Sequence, residues 1–222
     1  MQGQTAVVIG STGFIGSQLV QLLLYDPAFT EVRILVRQPT LLSHPKLVVE
    51  VVSFDNYQEI KDKMSVGHSV FCCVGTTQKK VQGDKIAYRK VDYNIPVNAA
   101  NASIENGFKK FLIVSSVGAN KNSRNFYLQV KGAAEEAISK LDFDSIHFFR
   151  PSILLGNRKE FRAGEMFAKR SMHLMSFLLF GPLKKYKPIE GSEVAKAMIA
   201  ASKQNQKGVH IYEYEEMMKL IG

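Results

Sequence analysis

Residues 5–16 read TAVVIGSTGFIG and decide the fold. The first five form a short run rich in β-branched residues, which is typical of a strand. From Phe14 to Leu24 the apolar residues recur at helical spacing. The stretch therefore predicts a first strand, a glycine-rich turn and a first helix.

The turn itself, Gly10 to Gly16, fits the pattern G-x-x-G-x-x-G. Glycines let the backbone turn tightly and approach a pyrophosphate, and free N–H groups at a helix N-terminus bind its negative charge. A glycine turn without a ligand is the alternative, but its place between a strand and an amphipathic helix favours a dinucleotide. We therefore expect the cofactor to contact the whole turn, namely Gly10, Ser11, Thr12, Gly13, Phe14, Ile15 and Gly16. The pattern G-x-x-x-x-G-K-[ST] is absent, which argues against a nucleoside triphosphatase.

Apolar runs continue along the chain, separated by segments of helical periodicity. Their continuous apolar character indicates strands that are buried on both faces, as in a parallel sheet covered by helices. The rhythm predicts an α/β fold with a doubly wound parallel sheet. We expect strands at 32–36, 47–52, 69–74, 111–114 and 146–149, and helical segments at 56–64, 85–106 and 126–141.

The rhythm breaks after Pro151, and residues 157–188 have no clear strand pattern. A helix with a serine cap is predicted at Ser192–Ser202, followed by a short strand at Val209–Tyr212 and a final helix. Without a linker or an internal repeat, we expect a single domain over residues 1–222 in which residues 157–222 contribute a small lobe.

Composition limits the class of protein. The chain has 222 residues, 45% hydrophobic and 22% charged, which is typical of a globular domain. Cys72 and Cys73 are adjacent and cannot form a disulfide framework, and the N-terminus lacks a secretory pattern, so we expect a cytoplasmic protein. No apolar stretch is long enough to predict a membrane span. The five histidines form no H-x-x-x-H pair, and we predict no metal.

The formal charge of +9 favours an anionic partner. The basic runs are short and no nucleic-acid motif surrounds them, so we predict solvated surfaces and no specific nucleic acid. The end of the second strand offers a specific anion instead. Arg37 follows that strand 21 positions after Gly16, and no acidic residue comes before Glu50. Because arginine accommodates a 2′-phosphate, Arg37 favours NADP(H) over NAD(H).

A second group of residues has the chemistry for proton transfer. Tyr127 and Lys131 are four residues apart at the start of a predicted helix, so they share one helical face. An ammonium beside a phenol stabilises the phenolate and lowers the phenol's pKa, which suits acid–base work. Ser115 and Ser116 end the preceding strand. We therefore predict Ser116, Tyr127 and Lys131 as catalytic residues, with a serine orienting the substrate oxygen.

Five stretches together resemble the short-chain dehydrogenase/reductase superfamily. They are the glycine turn, FCCVGTT at 71–77, VSS at 114–116, FYLQVKG at 126–132 and FRP at 149–151. More narrowly, the chain is similar to the atypical branch that contains the Tat-interacting protein oxidoreductases, near the NmrA-like proteins. The resemblance implies a Rossmann fold, NADP(H) along the strand ends, and a small carbonyl or alcohol substrate.

The resemblance also implies further cofactor contacts. It puts Val74 and Gly75 beside the adenosine ribose, Leu154 beside the nicotinamide, and Arg162 near a cofactor phosphate. Two departures qualify these roles: Ser116 precedes Tyr127 by eleven residues, which is short for the superfamily, and Gln38 stands where a second basic residue often occurs. The first leaves open whether Ser115 or Ser116 faces the substrate, and we favour Ser116. The second weakens the preference for NADP(H).

Residues 165–180 combine basic and apolar side chains. The segment either packs onto the C-terminal lobe, closes over the substrate, contacts a second subunit in a homodimer, or touches a membrane surface. Two functions follow for the whole chain. One is an NADP(H)-dependent oxidoreductase, and the other is a non-catalytic regulator that binds NADP(H) and senses redox state.

Overall fold

The computed structural model describes residues 3–156 and 181–222. Within them, seven strands form one sheet, and they are β1 Gln4–Ile9, β2 Phe29–Val36, β3 Leu47–Val51, β4 Ser69–Cys72, β5 Lys110–Val114, β6 Ser145–Phe149 and β9 Gly208–Tyr212. All neighbours are parallel, and the order across the sheet is β3-β2-β1-β4-β5-β6-β9. Two further strands, β7 Leu154–Leu155 and β8 Ile189–Glu190, pair with each other. The predicted doubly wound α/β fold is confirmed.

Helices cover both faces of the sheet. They are α1 Phe14–Tyr25, α2 Tyr57–Met64, α3 Lys85–Arg89, α4 Ile95–Glu105, α5 Phe126–Ser139, α6 Gly191–Ser202 and α7 Tyr214–Ile221. A 3₁₀ turn spans Gly181–Tyr186. On one face α1, α6 and α7 build a core with the strand residues Ala6 and Val8, and on the other α2, α4 and α5 build a core with Val7 and Ile9. The alternation along β1 explains why its sequence is apolar without interruption.

The described C-terminal residues supply the edge strand of the main sheet and a helix that packs on it. β9 pairs in parallel with β6, and α6 packs against α1. The expected serine cap of α6 is wrong. Glu190 is the N-cap residue, and in a capping box its N–H donates to Glu193 Oε2 over 2.9 Å.

The segment expected to be helical over 85–106 is divided. A five-residue π-helix, Lys90–Asn94, lies between α3 and α4, and Pro96 stands in the first turn of α4. Proline is tolerated there because the N–H groups of a first turn have no partner within the helix. The π-helix changes the direction in which residues 90–94 face, and it brings one of them to the carboxyl ends of the strands.

Candidate active site

The glycine turn closes tightly after β1. The Gly13 N–H donates to the Gly10 carbonyl over 3.0 Å, and Gly10 has φ +82°, a conformation that favours glycine. A Cβ at position 10 would lie 2.7 Å from the Cys73 backbone, and a Cβ at position 16 would lie 2.1 Å from the Gly10 oxygen. Both glycines therefore allow backbone approaches that no other residue allows.

The turn leads directly into the N-terminus of α1. No side chain caps α1 at Gly13, and its first turn holds no acidic residue. Ser11 is buried, and its Oγ has no hydrogen-bond partner among the described residues. A helix N-terminus without a side-chain cap and a buried, unpartnered hydroxyl beside a backbone cradle fit the pyrophosphate of a dinucleotide.

This turn lies where the sheet order reverses. β1 lies between β2 and β4. The chain therefore continues from β1 toward one edge of the sheet through β2 and β3, and from β4 onward it continues toward the other edge. Ligands of open α/β sheets bind at such a switch point. A cavity of about 450 Å³ opens there, and its lining comprises Thr12, Gly13, Phe14, Ile15, Ser17, Cys73, Val74, Gly75, Thr76, Thr77, Lys80, Asp92, Val114, Ser115, Tyr127, Lys131, Pro151, Ser152 and Leu154.

Helix α5 brings Tyr127 and Lys131 to the same cavity. Asn125 caps the helix, since its side chain accepts from the N–H groups of Tyr127 at 3.0 Å and Leu128 at 3.3 Å. The cap starts α5 just before Tyr127, and the offset of four residues then places Lys131 one turn further on. The predicted pairing of phenol and ammonium in one site agrees with this arrangement.

The side chain of Lys131 is only 6% exposed, and its ammonium contacts three groups of the protein. Its Nζ lies 3.0 Å from Asp92 Oδ1 and donates to the carbonyl oxygens of Val74 at 3.4 Å and Val114 at 3.5 Å. Burial lowers the pKa of Lys131, but the Asp92 carboxylate and Tyr127 raise it, and the net pKa lies above its ordinary value. The ammonium is therefore charged and fixed inside the site.

Of the two serines after β5, the structure brings Ser115 into the cavity and not Ser116. Ser115 Oγ is buried, lines the cavity and has no hydrogen-bond partner among the described residues. Ser116 Oγ instead lies 3.4 Å from the Val117 oxygen. Consecutive residues of extended chain point to opposite sides, so only one of the pair faces the cavity. The preference for Ser116 is not supported by this geometry.

The remaining predicted contacts fall into three groups. Val74, Gly75 and Leu154 line the cavity. Arg37 lies outside it, exposed after β2, but at the same edge, because Leu35 pairs with Ile9 immediately before the glycine turn. Arg162 and the segment 165–180 lie outside the described residues.

Several cavity residues were missed by the sequence analysis. Thr76, Thr77 and Lys80 follow β4, and Ser152 follows β6. Their position after strands of a parallel sheet was the available signal. Asp92 had no such signal, because it lies within a helical segment.

The two cysteines have separate environments. Cys72 is buried in the core beside α2, α4 and α5, and Cys73 packs against the opposite core. Burial raises the pKa of Cys72 to about 11 and raises that of Cys73 also. Neither thiol has the low pKa of a reactive cysteine.

Residues 10–166 match the family described as NAD(P)H-binding. The chain belongs to this family. It is also 33% identical to the protein FMP52-1, mitochondrial, of Scheffersomyces stipitis, over 97% of this chain and 98% of the relative. It is 34% identical to the protein HTATIP2 of Rattus norvegicus, over 77% of this chain and 71% of that protein. These two relatives confirm the resemblance to the branch that contains the Tat-interacting proteins.

Solved structures confirm the fold. WbmH of Bordetella bronchiseptica, in complex with NAD⁺, superimposes with a TM-score of 0.73 at 17% identity, covering 96% of this chain and 76% of that one. The UDP-N-acetylglucosamine 4-epimerase of Bacillus cereus has a TM-score of 0.71 at 18% identity, covering 99% and 83%. A Rossmann-like fold is therefore established for this member of the NAD(P)H-binding family.

The expected cytoplasmic location is wrong. The FMP52 relatives of Scheffersomyces stipitis, Candida albicans and Debaryomyces hansenii are all named mitochondrial. Adjacent cysteines without a disulfide are compatible with any reducing compartment, and they do not distinguish the cytoplasm from another one. Among residues 3–156 and 181–222, no helix has the length and apolar character needed to cross a membrane, and no cluster of potential metal ligands occurs.

Proposed function

We propose that the protein is an NADP(H)-dependent oxidoreductase of the short-chain dehydrogenase/reductase type that acts on a carbonyl or alcohol. The observation that supports this most directly is the shared cavity of Tyr127, Lys131 and the glycine turn. A phenol and a buried ammonium thus lie in the same space as the pyrophosphate cradle. Such an arrangement suits a reaction that moves a proton beside a bound nicotinamide.

When held by these residues, a reduced nicotinamide cofactor would supply a hydride to the carbonyl carbon of the substrate. Tyr127 then gives its phenolic proton to the carbonyl oxygen, so that an alcohol forms. Lys131 stabilises the resulting phenolate and binds the nicotinamide ribose. Ser115 donates a hydrogen bond to the same substrate oxygen and orients the carbonyl for attack.

The cofactor would lie along the strand ends. Residues 10–16 bind the pyrophosphate, Arg37 pairs with a 2′-phosphate, and Val74 and Gly75 contact the adenosine ribose. Leu154 flanks the nicotinamide. We propose a single domain over residues 1–222, in which β9 extends the main sheet and α6 packs on α1. The expected contact of Arg162 with a cofactor phosphate lies outside the described residues.

We place the protein in mitochondria. The FMP52 relatives that support this include one matched over nearly its full length. Expression with a fluorescent tag at the C-terminus and a mitochondrial marker tests the location. A diffuse signal that excludes mitochondria would contradict it.

Substitution of Tyr127 by Phe tests the reaction. The variant should bind NADPH with unchanged affinity, followed by nicotinamide fluorescence, and should lose at least about 100-fold in kcat on a panel of aldehydes and ketones. Tyr25→Phe is a control, because Tyr25 is 77% exposed at the end of α1. Retained turnover in Tyr127→Phe would remove Tyr127 from the mechanism. If the wild type binds NADPH but reduces none of the aldehydes and ketones, the result would favour the non-catalytic regulator.

A further inference from the structure

Asp92 is an acidic side chain in an unusual backbone. It lies in the π-helix Lys90–Asn94 between α3 and α4. π-helical turns are rare and occur frequently at functional sites. Here the π-helix carries a carboxylate that reaches the cavity.

Both oxygens of Asp92 face groups of the site. The side chain is 1% exposed, and Oδ1 lies 3.0 Å from Lys131 Nζ. Oδ2 accepts from the N–H of Thr76 over 2.8 Å. Asp92 therefore joins the loop after β4 to the lysine on α5. Oδ1 accepts no hydrogen bond in conventional geometry from the described residues, so its contact with Lys131 is an ion pair.

A buried carboxylate has a large effect on a buried amine. Burial alone favours the neutral form of lysine, by several pKa units in deeply buried cases. The other titratable groups that act on Lys131 are the phenol of Tyr127 on its own helix and the thiols of Cys72 and Cys73 on and after β4. The burial that raises the thiols' pKa keeps them neutral, so they supply no negative charge.

A second carboxylate on α5 is engaged elsewhere. Glu135 pairs with Arg150 through two of the guanidinium nitrogens, Nε and Nη2. The negative charge that balances Lys131 therefore comes from Asp92.

We propose that Asp92 is a positioning residue that keeps Lys131 charged and fixed beside Tyr127. The effect on turnover rests on the proposed function, whereas the effect of Asp92 on the charge of Lys131 concerns only residues of this chain. Asp92 acts through Lys131 and touches no reacting atom. Without it, Lys131 loses its proton at a lower pH, and the phenolate of Tyr127 loses its stabilising cation.

Asp92→Asn separates charge from shape. The amide has the size of the carboxylate, and its oxygen still accepts from the Thr76 N–H, so the loop after β4 keeps its anchor. Asp62→Asn is the matched control, because Asp62 is an exposed carboxylate on α2 that accepts a hydrogen bond from Gln58. Thermal unfolding of both variants shows whether the fold is retained.

The first readout is the titration of Lys131 in the cofactor-free protein. Lysine ¹³Cε resonances are followed by NMR over pH, and the Lys131 signal is assigned by its loss in Lys131→Arg. We expect the midpoint in Asp92→Asn to fall by about 2 units or more, within the range known for buried lysines. An unchanged midpoint would overturn the proposal, whatever the variant does to activity.

The second readout is the pH profile of turnover. We expect Asp92→Asn to approach wild-type kcat at low pH and to lose about 10-fold or more as pH rises through the lowered midpoint, with little change in KM. A uniform loss at every pH would also overturn the proposal and assign Asp92 a structural role. If the wild type turns over no carbonyl, the proposed function fails while the NMR titration still decides the role of Asp92.

Discussion

Gly16 lies directly against the carbonyl oxygen of Gly10, and a Cβ at position 16 would come within 2.1 Å of that oxygen. The two residues are separated by six positions, yet their backbones touch because the chain turns from β1 into α1 over this interval. The contact sets the position of the helix N-terminus relative to the end of the strand. It therefore controls where the N–H groups of α1 point.

Gly16→Ala is expected to abolish measurable NADPH binding. The methyl group pushes the Gly10 backbone away, and this backbone cannot yield as a flexible side chain would. We also expect a loss of about 1–3 kcal/mol in the free energy of unfolding, as is usual for overpacking. Fluorescence titration and urea unfolding measure the two effects. Gln21→Ala on the exposed face of α1 is the control. Normal NADPH affinity in Gly16→Ala would contradict the role given to the turn.

Arg37→Ala should change the choice of cofactor. Arg37 is exposed at the strand edge that carries the glycine turn, and it pairs with no carboxylate among the described residues. A charged hydrogen bond is worth about 1.5–3 kcal/mol, so we expect Kd for NADPH to rise about 10- to 100-fold. Kd for NADH should change less than about 3-fold.

Lys140→Ala is the matched control for Arg37, because it removes one exposed positive charge at the far end of α5. It should leave both affinities unchanged. Equal losses for NADPH and NADH in Arg37→Ala, or no loss of either, would contradict the contact with the 2′-phosphate.

The sequence was sufficient for the sheet and for most helices. Apolar runs and helical periodicity indicate which residues are buried, and the buried residues of β1, α1 and the later elements pack these elements against one another. The break at residues 90–94 was not predictable in this way. A π-helix adds one residue to a turn, and the apolar pattern of the flanking helices remains close to that of a continuous helix.

The site was predictable where local spacing decides it. The glycine turn and the pair Tyr127 and Lys131 follow from positions along one strand–turn–helix or one helix. Asp92 was not predictable, because it meets Lys131 only through the packing of α5 on the π-helix. The choice between Ser115 and Ser116 also needed the structure, since the direction of a side chain after a strand depends on where the chain leaves the sheet.

Ser115→Ala is expected to lower kcat by about 100-fold, a loss typical of removing one hydrogen-bond donor to a developing oxyanion. Ser116→Ala is the matched control and should change kcat by less than about 3-fold, because its hydroxyl does not line the cavity. NADPH affinity should be similar in both variants, so steady-state kinetics at saturating NADPH isolates the effect. A large loss in Ser116→Ala with normal turnover in Ser115→Ala would restore the original assignment.

His147 predicts how stability depends on pH. Its ring is fully buried on β6, with Nδ1 3.0 Å from the Tyr212 hydroxyl and Nε2 3.0 Å from Ser145 Oγ. Burial, with smaller effects from His210 and Lys110, lowers the pKa of His147 to about 4 from an ordinary value of 6.5. The unfolded chain therefore binds a proton more readily than the folded chain between these two values.

Stability is accordingly lost as pH falls from about 6.5 toward 4, and it is fully present above 6.5. From the two pKa values we expect unfolding at pH 5 to require about 2 kcal/mol less than at pH 7.5, measured by urea denaturation. Replacing His147 by Asn should lower stability at pH 7.5 but remove most of this pH dependence. His68→Asn, a change at an exposed histidine, should retain it. The same slope in His147→Asn as in the wild type would show that other groups cause the loss.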